Sequence, residues 1–286
     1  MSIAERLDGW FPGRWPASLR RRSTGFSLVV VSASFVGIYA WYRSQTLSHD
    51  ASVTGWVMIA ALIVLAALGI RRRLVSLPLA PVGLWVQAHV YLGIFFLLAY
   101  LMHVPRIIAN GGLELILSLL VIATIGSGIY GWYLSRTAPR RLTAIGQEVR
   151  YDQIDWTRAR IAVRAAALIG SLSDSEDREV LSRHYQQNID VYFTSKPSWW
   201  YFIMPTGSRR RRLLAGLIEL NRYLSPELRA VAGELSALVR NRDDLDYHHA
   251  IQWRLRSWRG LHALMTVVLI LFATTHVILA LRMMGV

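Results

Sequence analysis

Four histidines stand inside long apolar runs of this chain, His89 and His103 in one run and His262 and His276 in another. The members of each pair are fourteen residues apart. On an α-helix that interval is almost four turns, so both rings leave nearly the same face, about 21 Å apart along the axis. An ionisable ring in hydrocarbon is costly and is usually kept for a function. Two facing helices that carry such pairs at matching depths present two opposed sets of imidazoles, His89 with His262 and His103 with His276. Each set offers one ring to each face of a haem iron, giving two haems, one above the other. Bis-histidine ligation leaves no open position for oxygen and suits electron transfer. The competing reading is a structural or proton-relay role, since a lone intramembrane histidine often serves only helix packing. Matched spacing on two helices favours haem.

That arrangement needs two membrane-crossing helices running the same way. The 286 residues are 53% hydrophobic with a mean hydropathy of +0.33. Five stretches run with few charges: about Phe26 to Tyr42, Thr54 to Ile70, Val82 to Val104, Leu113 to Leu134 and Gly260 to Leu281. Each approaches the length that crosses about 30 Å of hydrocarbon. The histidines sit in the third and fifth, which are separated by one span and therefore run parallel. The expected fold is all-α: five transmembrane helices containing a four-helix haem-binding bundle, with a helical insert between the fourth and fifth. The expected segments are residues 1–25 as a basic N-terminus, 26–134 as helices one to four, 135–259 as the insert and 260–286 as the fifth helix.

Charge placement predicts the orientation. The net charge is +14, carried mostly by arginine. Arg14 and Arg20–Arg22 precede the first span, Arg71–Arg73 follow the second, and Arg136, Arg140 and Arg141 follow the fourth; the opposite loops hold only Arg43 and Arg106, and the tail only Arg282. Basic residues collect on the cytoplasmic side, which puts the N-terminus and the insert inside and the C-terminus outside. For a bacterial inner membrane, outside is the periplasm. The same placement argues against nucleic acid as the partner of this charge. Trp41, Tyr42, Trp85, Trp132 and Tyr133 lie near span ends, where interfacial aromatics collect. The basic cluster before the first span resembles an export signal, but further spans follow at once, so a retained helix is expected.

No cysteine is present, which removes disulfides, thiolate-held iron–sulfur clusters and covalent c-type haem. The insert reads as helical: Ser173 and Glu176 have capping-box spacing, and Ser225 before Pro226 looks like a cap with proline at the first helical position. Trp199, Trp200, Tyr201 and Phe202 between Pro197 and Pro205 suggest a short segment at the membrane surface or against the spans, and Arg209–Arg212 open another amphipathic stretch. A piece this short and basic is expected to lean on the membrane or a partner for its core. Gly126, Gly128 and Gly131 match a dinucleotide fingerprint in letters only; inside an apolar run with no preceding strand they read as helix packing. His248 continues the fourteen-residue interval but lies outside the apolar run, so it and His249 are expected at the surface, and His49 and His184 carry no signal. Gly93, one turn beyond His89, gives room for a porphyrin or for another helix. Arg71–Arg73, Arg256 and Arg259 on one side and Arg106 and Arg282 on the other are candidates for haem propionates, or simply fix topology.

The stretches AHVYLGIFFLLAYLMH and LHALMTVVLILFATTH resemble the histidine-bearing helices of the cytochrome b superfamily, including the cytochrome b of quinol–cytochrome c reductase and the cytochrome b subunits of bacterial dehydrogenases and hydrogenases. The membrane domains of ferric reductases and NADPH oxidases have similar spacing. The resemblance covers the second through fifth spans and implies two haem b groups ligated by His89, His103, His262 and His276. The long insert departs from that pattern. With no flavin or nicotinamide fingerprint, electrons would have to come from quinone or a partner subunit. The expected function is a dihaem cytochrome b subunit of a membrane oxidoreductase, working between the quinone pool and a partner carrying multihaem c-type, iron–sulfur or molybdenum centres. The alternatives are a stand-alone ferric-reductase-like conduit fed by a separate flavoprotein and, from another class, a haem-free proton-linked transporter or membrane anchor.

Overall fold

The computed structural model describes residues 17–44, 51–70, 82–104, 108, 111–143, 150–172 and 176–283. Among these every regular element is helical: α1 (Ala17–Ser44), α2 (Ala51–Ile70), α3 (Val82–His103), α4 (Gly112–Thr143), α5 (Ile154–Gly170), α6 (Glu176–His184), α7 (Asp190–Thr194), α8 (Trp199–Ile203), α9 (Ser208–Leu220) and α10 (Pro226–Met283). A single 3-10 turn, Tyr151–Gln153, opens α5, and a π-helical turn, Tyr185–Ile189, joins α6 to α7. Three helices are long and apolar enough to cross a membrane, over Gly83–His103, Gly112–Pro139 and part of Pro226–Met283. The two N-terminal expectations fall on shorter apolar stretches, Gly25–Tyr39 and Ser52–Ala67.

The chain divides into two compact units. The first comprises residues 1–128 and 262–286. Its core draws on four helices: Ala61 and Leu62 of α2, Phe96 and Tyr100 of α3, Val121 of α4 and Leu269 of α10. Helix α1 packs on α3 through small residues, since apolar helices in lipid gain no hydrophobic driving force and rely on close packing. The Tyr91 ring lies against Gly25 and Met102 lies against Gly37, so α1 and α3 run parallel. Large apolar side chains such as Phe35, Leu119 and Leu271 point outward, a surface that suits lipid.

The second unit, residues 129–261, has a core of its own, contrary to the expectation that it would borrow one. Ala165 and Ile169 of α5, Leu181 of α6, Tyr192 and Phe193 of α7, Leu213 and Leu217 of α9, and Leu228, Leu235 and Val239 of α10 pack together. Short helices on several sides pack against one long one, and that geometry buries α10. Helix α10 starts at Pro226, as the Ser225–Pro226 pair predicts. It then runs 58 residues without a break at the expected boundary near Gly260. The basic residues Arg254, Arg256 and Arg259 are good helix formers, and a single glycine costs only about 1 kcal/mol, too little to end a helix held by packing.

A charged cluster is buried in this unit. Asp246 accepts hydrogen bonds from Arg158 of α5, at 2.9 Å from Nη2, and from Arg242. Arg242 also donates to the Ser195 carbonyl at 2.8 Å, and Arg158 reaches His249 Nδ1 at 3.2 Å. All three charged residues are nearly inaccessible. His249 sits between Tyr151 and Phe202, with ring centroids at 5.1 and 4.9 Å. His248 is 3% exposed, which corrects the surface placement expected for it.

Burial holds the imidazoles of His184, His248 and His249 below their ordinary value of 6.5, and for His249 the Arg158 guanidinium adds to the effect. These rings are neutral when folded but take protons when unfolded below that value. Their contribution to stability is therefore complete above pH 6.5 and is lost as pH falls through the lowered folded values. Hydrogen exchange over residues 150–261, corrected for intrinsic rates, is expected to lose protection on acidification from pH 6.5. His248→Leu should flatten that slope; an unchanged slope would remove His248 from the account. Asp243, whose carboxyl burial pushes up, acts with the opposite sign at lower pH.

Candidate functional site

The four intramembrane histidines all belong to the first unit, and all are half-buried. Their helices hold them on the core-facing stripe. Seven residues on a helix are almost two turns, so positions at that interval share a face. Phe96 lies midway between His89 and His103, and Leu269 midway between His262 and His276. Both midpoints are core residues, 5% and 2% exposed. Each histidine pair therefore brackets a packed apolar layer.

His89 and His262 meet. Their ring centroids are 6.4 Å apart, with the planes at 67°. His262 Nδ1 lies 3.1 Å from Ser127 Oγ of α4, and its Cε1 faces Gly128, where an added Cβ would sit 3.7 Å away. The recorded contacts of the other pair lead elsewhere. His103 Nδ1 is 2.9 Å from Thr54 Oγ1 of α2, and the ring lies against Gly55, whose Cβ would approach Cε1 to 3.3 Å. His276 Nδ1 is 3.9 Å from Glu114 Oε1 of α4, an ion pair only when the imidazole is protonated. These contacts also fix helix directions. Ser127 meets His262 and Glu114 meets His276, so α4 and α10 run antiparallel. Thr54, early in α2, meets His103 at the end of α3, so that pair is antiparallel too.

The hydroxyl partners Thr54 and Ser127 and the carboxylate Glu114 have no periodicity that would mark them in the sequence. A hydroxyl on Nδ1 fixes an imidazole's tautomer and ring orientation and turns Nε2 toward a metal, the usual support for a histidine ligand. A cofactor also needs room. A Cβ on Gly93, one turn from His89, would meet no heavy atom within 4 Å, so the backbone there is open on the histidine face.

The residues flanking the site are less concentrated. Arg256 stacks on the Tyr151 ring at 4.0 Å, Arg259 is exposed, and Arg282 lies in the last turn of α10. Arg14, Arg71, Arg72, Arg73, Arg106, His49 and Ser173 lie outside the described residues. Gly131 is filled from outside: a Cβ there would collide with the Trp258 indole, the close helix approach that small residues permit. Among the described residues no group of three or more His, Asp or Glu side chains is arranged to hold a metal ion. A bis-histidine iron needs only two such ligands, its remaining four coming from the porphyrin. Comparison with known proteins finds no matching family, no similar curated protein and no similar solved structure.

Proposed function

We propose that this chain is a dihaem b-type membrane cytochrome, working as the electron-carrying subunit of a quinone-linked oxidoreductase. The observation that carries the reading is the 6.4 Å between the His89 and His262 ring centroids. A metal–imidazole bond is about 2.0–2.1 Å and a ring nitrogen lies about 1.1 Å from the ring centre, so two imidazoles trans on one metal have centroids about 6.3 Å apart. Planes at 67° are compatible with that, because each ring is free to turn about the metal–nitrogen axis.

In this reading α2, α3, α4 and α10 form the haem-binding bundle, α1 is the fifth span, and His103 with His276 holds the second haem. Direction supports the second level. Helix α4 returns after a short connection from α3, and α10 runs opposite to α4, which leaves α3 and α10 parallel with His103 and His276 at one depth. Bis-histidine haem iron supplies one-electron transfer. The chain's own part is to orient His103 and His262 by hydroxyls on neighbouring helices, to set Glu114 beside His276, and to pack apolar side chains between the two levels. Electrons would pass between quinone at one membrane face and a redox partner subunit. The basic loops support an N-terminus in the cytoplasm and a C-terminus in the periplasm of a bacterial inner membrane.

The Glu114–His276 contact favours one competitor, a haem-free proton-handling membrane protein, since it sets a carboxylate beside an imidazole within an apolar span. The absorption spectrum of purified protein separates them. Two b-type haems per chain, reducible by dithionite, are expected; a colourless protein that stays colourless after incubation with haem would leave the proton reading in place.

A further inference from the structure

Helix α8 has two unlike sides. Phe202 faces inward, its ring 4.9 Å from His249 and 5.6 Å from Trp253. Tyr201 also turns in, lining a small cleft with Arg210, Asp243 and Tyr247. On the other side Trp199, Trp200 and Met204 are 60%, 70% and 70% exposed, and Ile203 joins them. The two indoles stack edge to face at 5.3 Å, so they form one patch. The unit that carries them already has a full core, and these side chains are not left over from its absence. Prolines at 197 and 205 bracket the segment and fix its short length.

The charge around this patch has one sign. From Ser195 to Ile218 the chain has no acidic residue, while Lys196 and Arg209–Arg212 are basic. Arg210 is neutralised by Asp243 and Asp244, at 3.4 and 3.2 Å, whereas Lys196, Arg211 and Arg212 are exposed. Paired indoles with an apolar tip and a basic margin match the headgroup boundary of an anionic bilayer, where tryptophan settles and basic side chains meet lipid phosphate. A second copy of the same patch would bring like charges together. A membrane is at hand, because the chain carries helices able to cross one.

We propose that the Trp199–Met204 segment inserts its outward side chains into the headgroup layer of an anionic membrane, with Lys196, Arg211 and Arg212 on the lipid phosphates. This rests on the membrane-crossing helices and not on the histidines, so its failure would leave the electron-transfer reading untouched.

The chain has no cysteine, so a single introduced thiol takes a nitroxide label at one position. The full protein carrying Met204→Cys, labelled and reconstituted in phosphatidylglycerol-containing vesicles, is compared with Glu234→Cys, an exposed site on α10. At 204, collision with oxygen should exceed collision with a water-soluble nickel chelate by about threefold, as for a group at bilayer depth, and at 234 the order should reverse. Charge reversal by Arg211→Glu with Arg212→Glu should return position 204 to the chelate. Preferential access of the chelate at 204 in the parent protein overturns the proposal. So does shielding from both reagents, which would mean that protein covers the patch. An unaltered oxygen preference after charge reversal overturns the anionic part.

Discussion

Replacing His262 by alanine is expected to halve the haem bound per chain, from two to one, with the surviving haem still low-spin and reducible. The ring that opposes it, His89, is 6.4 Å away centroid to centroid, so His89→Ala should remove the same haem. The double replacement should then lose no more than either single one, because two ligands of one iron act as a unit. His103→Ala or His276→Ala should spare that haem and remove the other. Quantitative haem extraction with protein determination measures all four. The hydroxyls predict a gentler series: Ser127→Ala and Thr54→Val should keep the count but weaken haem retention by about 10- to 100-fold, the usual cost of losing an outer partner of a ligand. If His262→Ala and His89→Ala removed different haems, or if neither removed one, the pairing would be wrong.

The largest stability effect is expected at Asp246, in the second unit. This carboxylate is shared by Arg158 and Arg242, and the three are 4%, 7% and 1% exposed. Asp246→Ala leaves Arg242 buried without its counter-charge and Arg158 with only the exposed Asp155, and breaking a buried pair from one side costs about 3–5 kcal/mol. The Arg242 bond to the Ser195 carbonyl anchors the stretch after α7, so the loss should spread beyond α10. Amide exchange across residues 150–261 should accelerate by about two to three orders of magnitude, with the apolar spans less affected. Arg242→Met with Asp246→Leu, which removes charges from both sides while keeping volume, should recover part of the loss. Equal exchange in Asp246→Ala and the parent protein would show that the cluster is not a structural tie.

The approach of His89 to His262 was legible because the histidines are periodic. Fourteen-residue steps in two apolar runs state which faces matter, and His89 and His262 do come together. The supports were not legible. Thr54 lies 49 residues from His103, and Ser127 lies 135 from His262; nothing local marks either as a partner. Only the choice of neighbouring helices brings them in. The polar stretch misled in a different way. Its apolar residues are diluted by arginine, yet Leu181, Ile189, Leu217 and Leu235 converge because several short helices wrap one long one. His248 follows from the same geometry, since a helix surrounded on most sides buries residues that a single amphipathic face would leave outside. Helix α10 runs unbroken through the change from polar to apolar residues near Gly260, because the backbone there offers no breaker.

The layer between the histidine levels has a consequence of its own. Ala61, Leu62, Phe96, Tyr100, Val121 and Leu269 meet there as a largely apolar layer. A hydrated ion crossing it would have to shed its solvent among buried apolar side chains. An electron can tunnel across such a gap, whereas bulk charge carriers cannot follow it. If the proposed haems are bound, such a layer would let charge pass as electrons while hydrated ions stay on their own side.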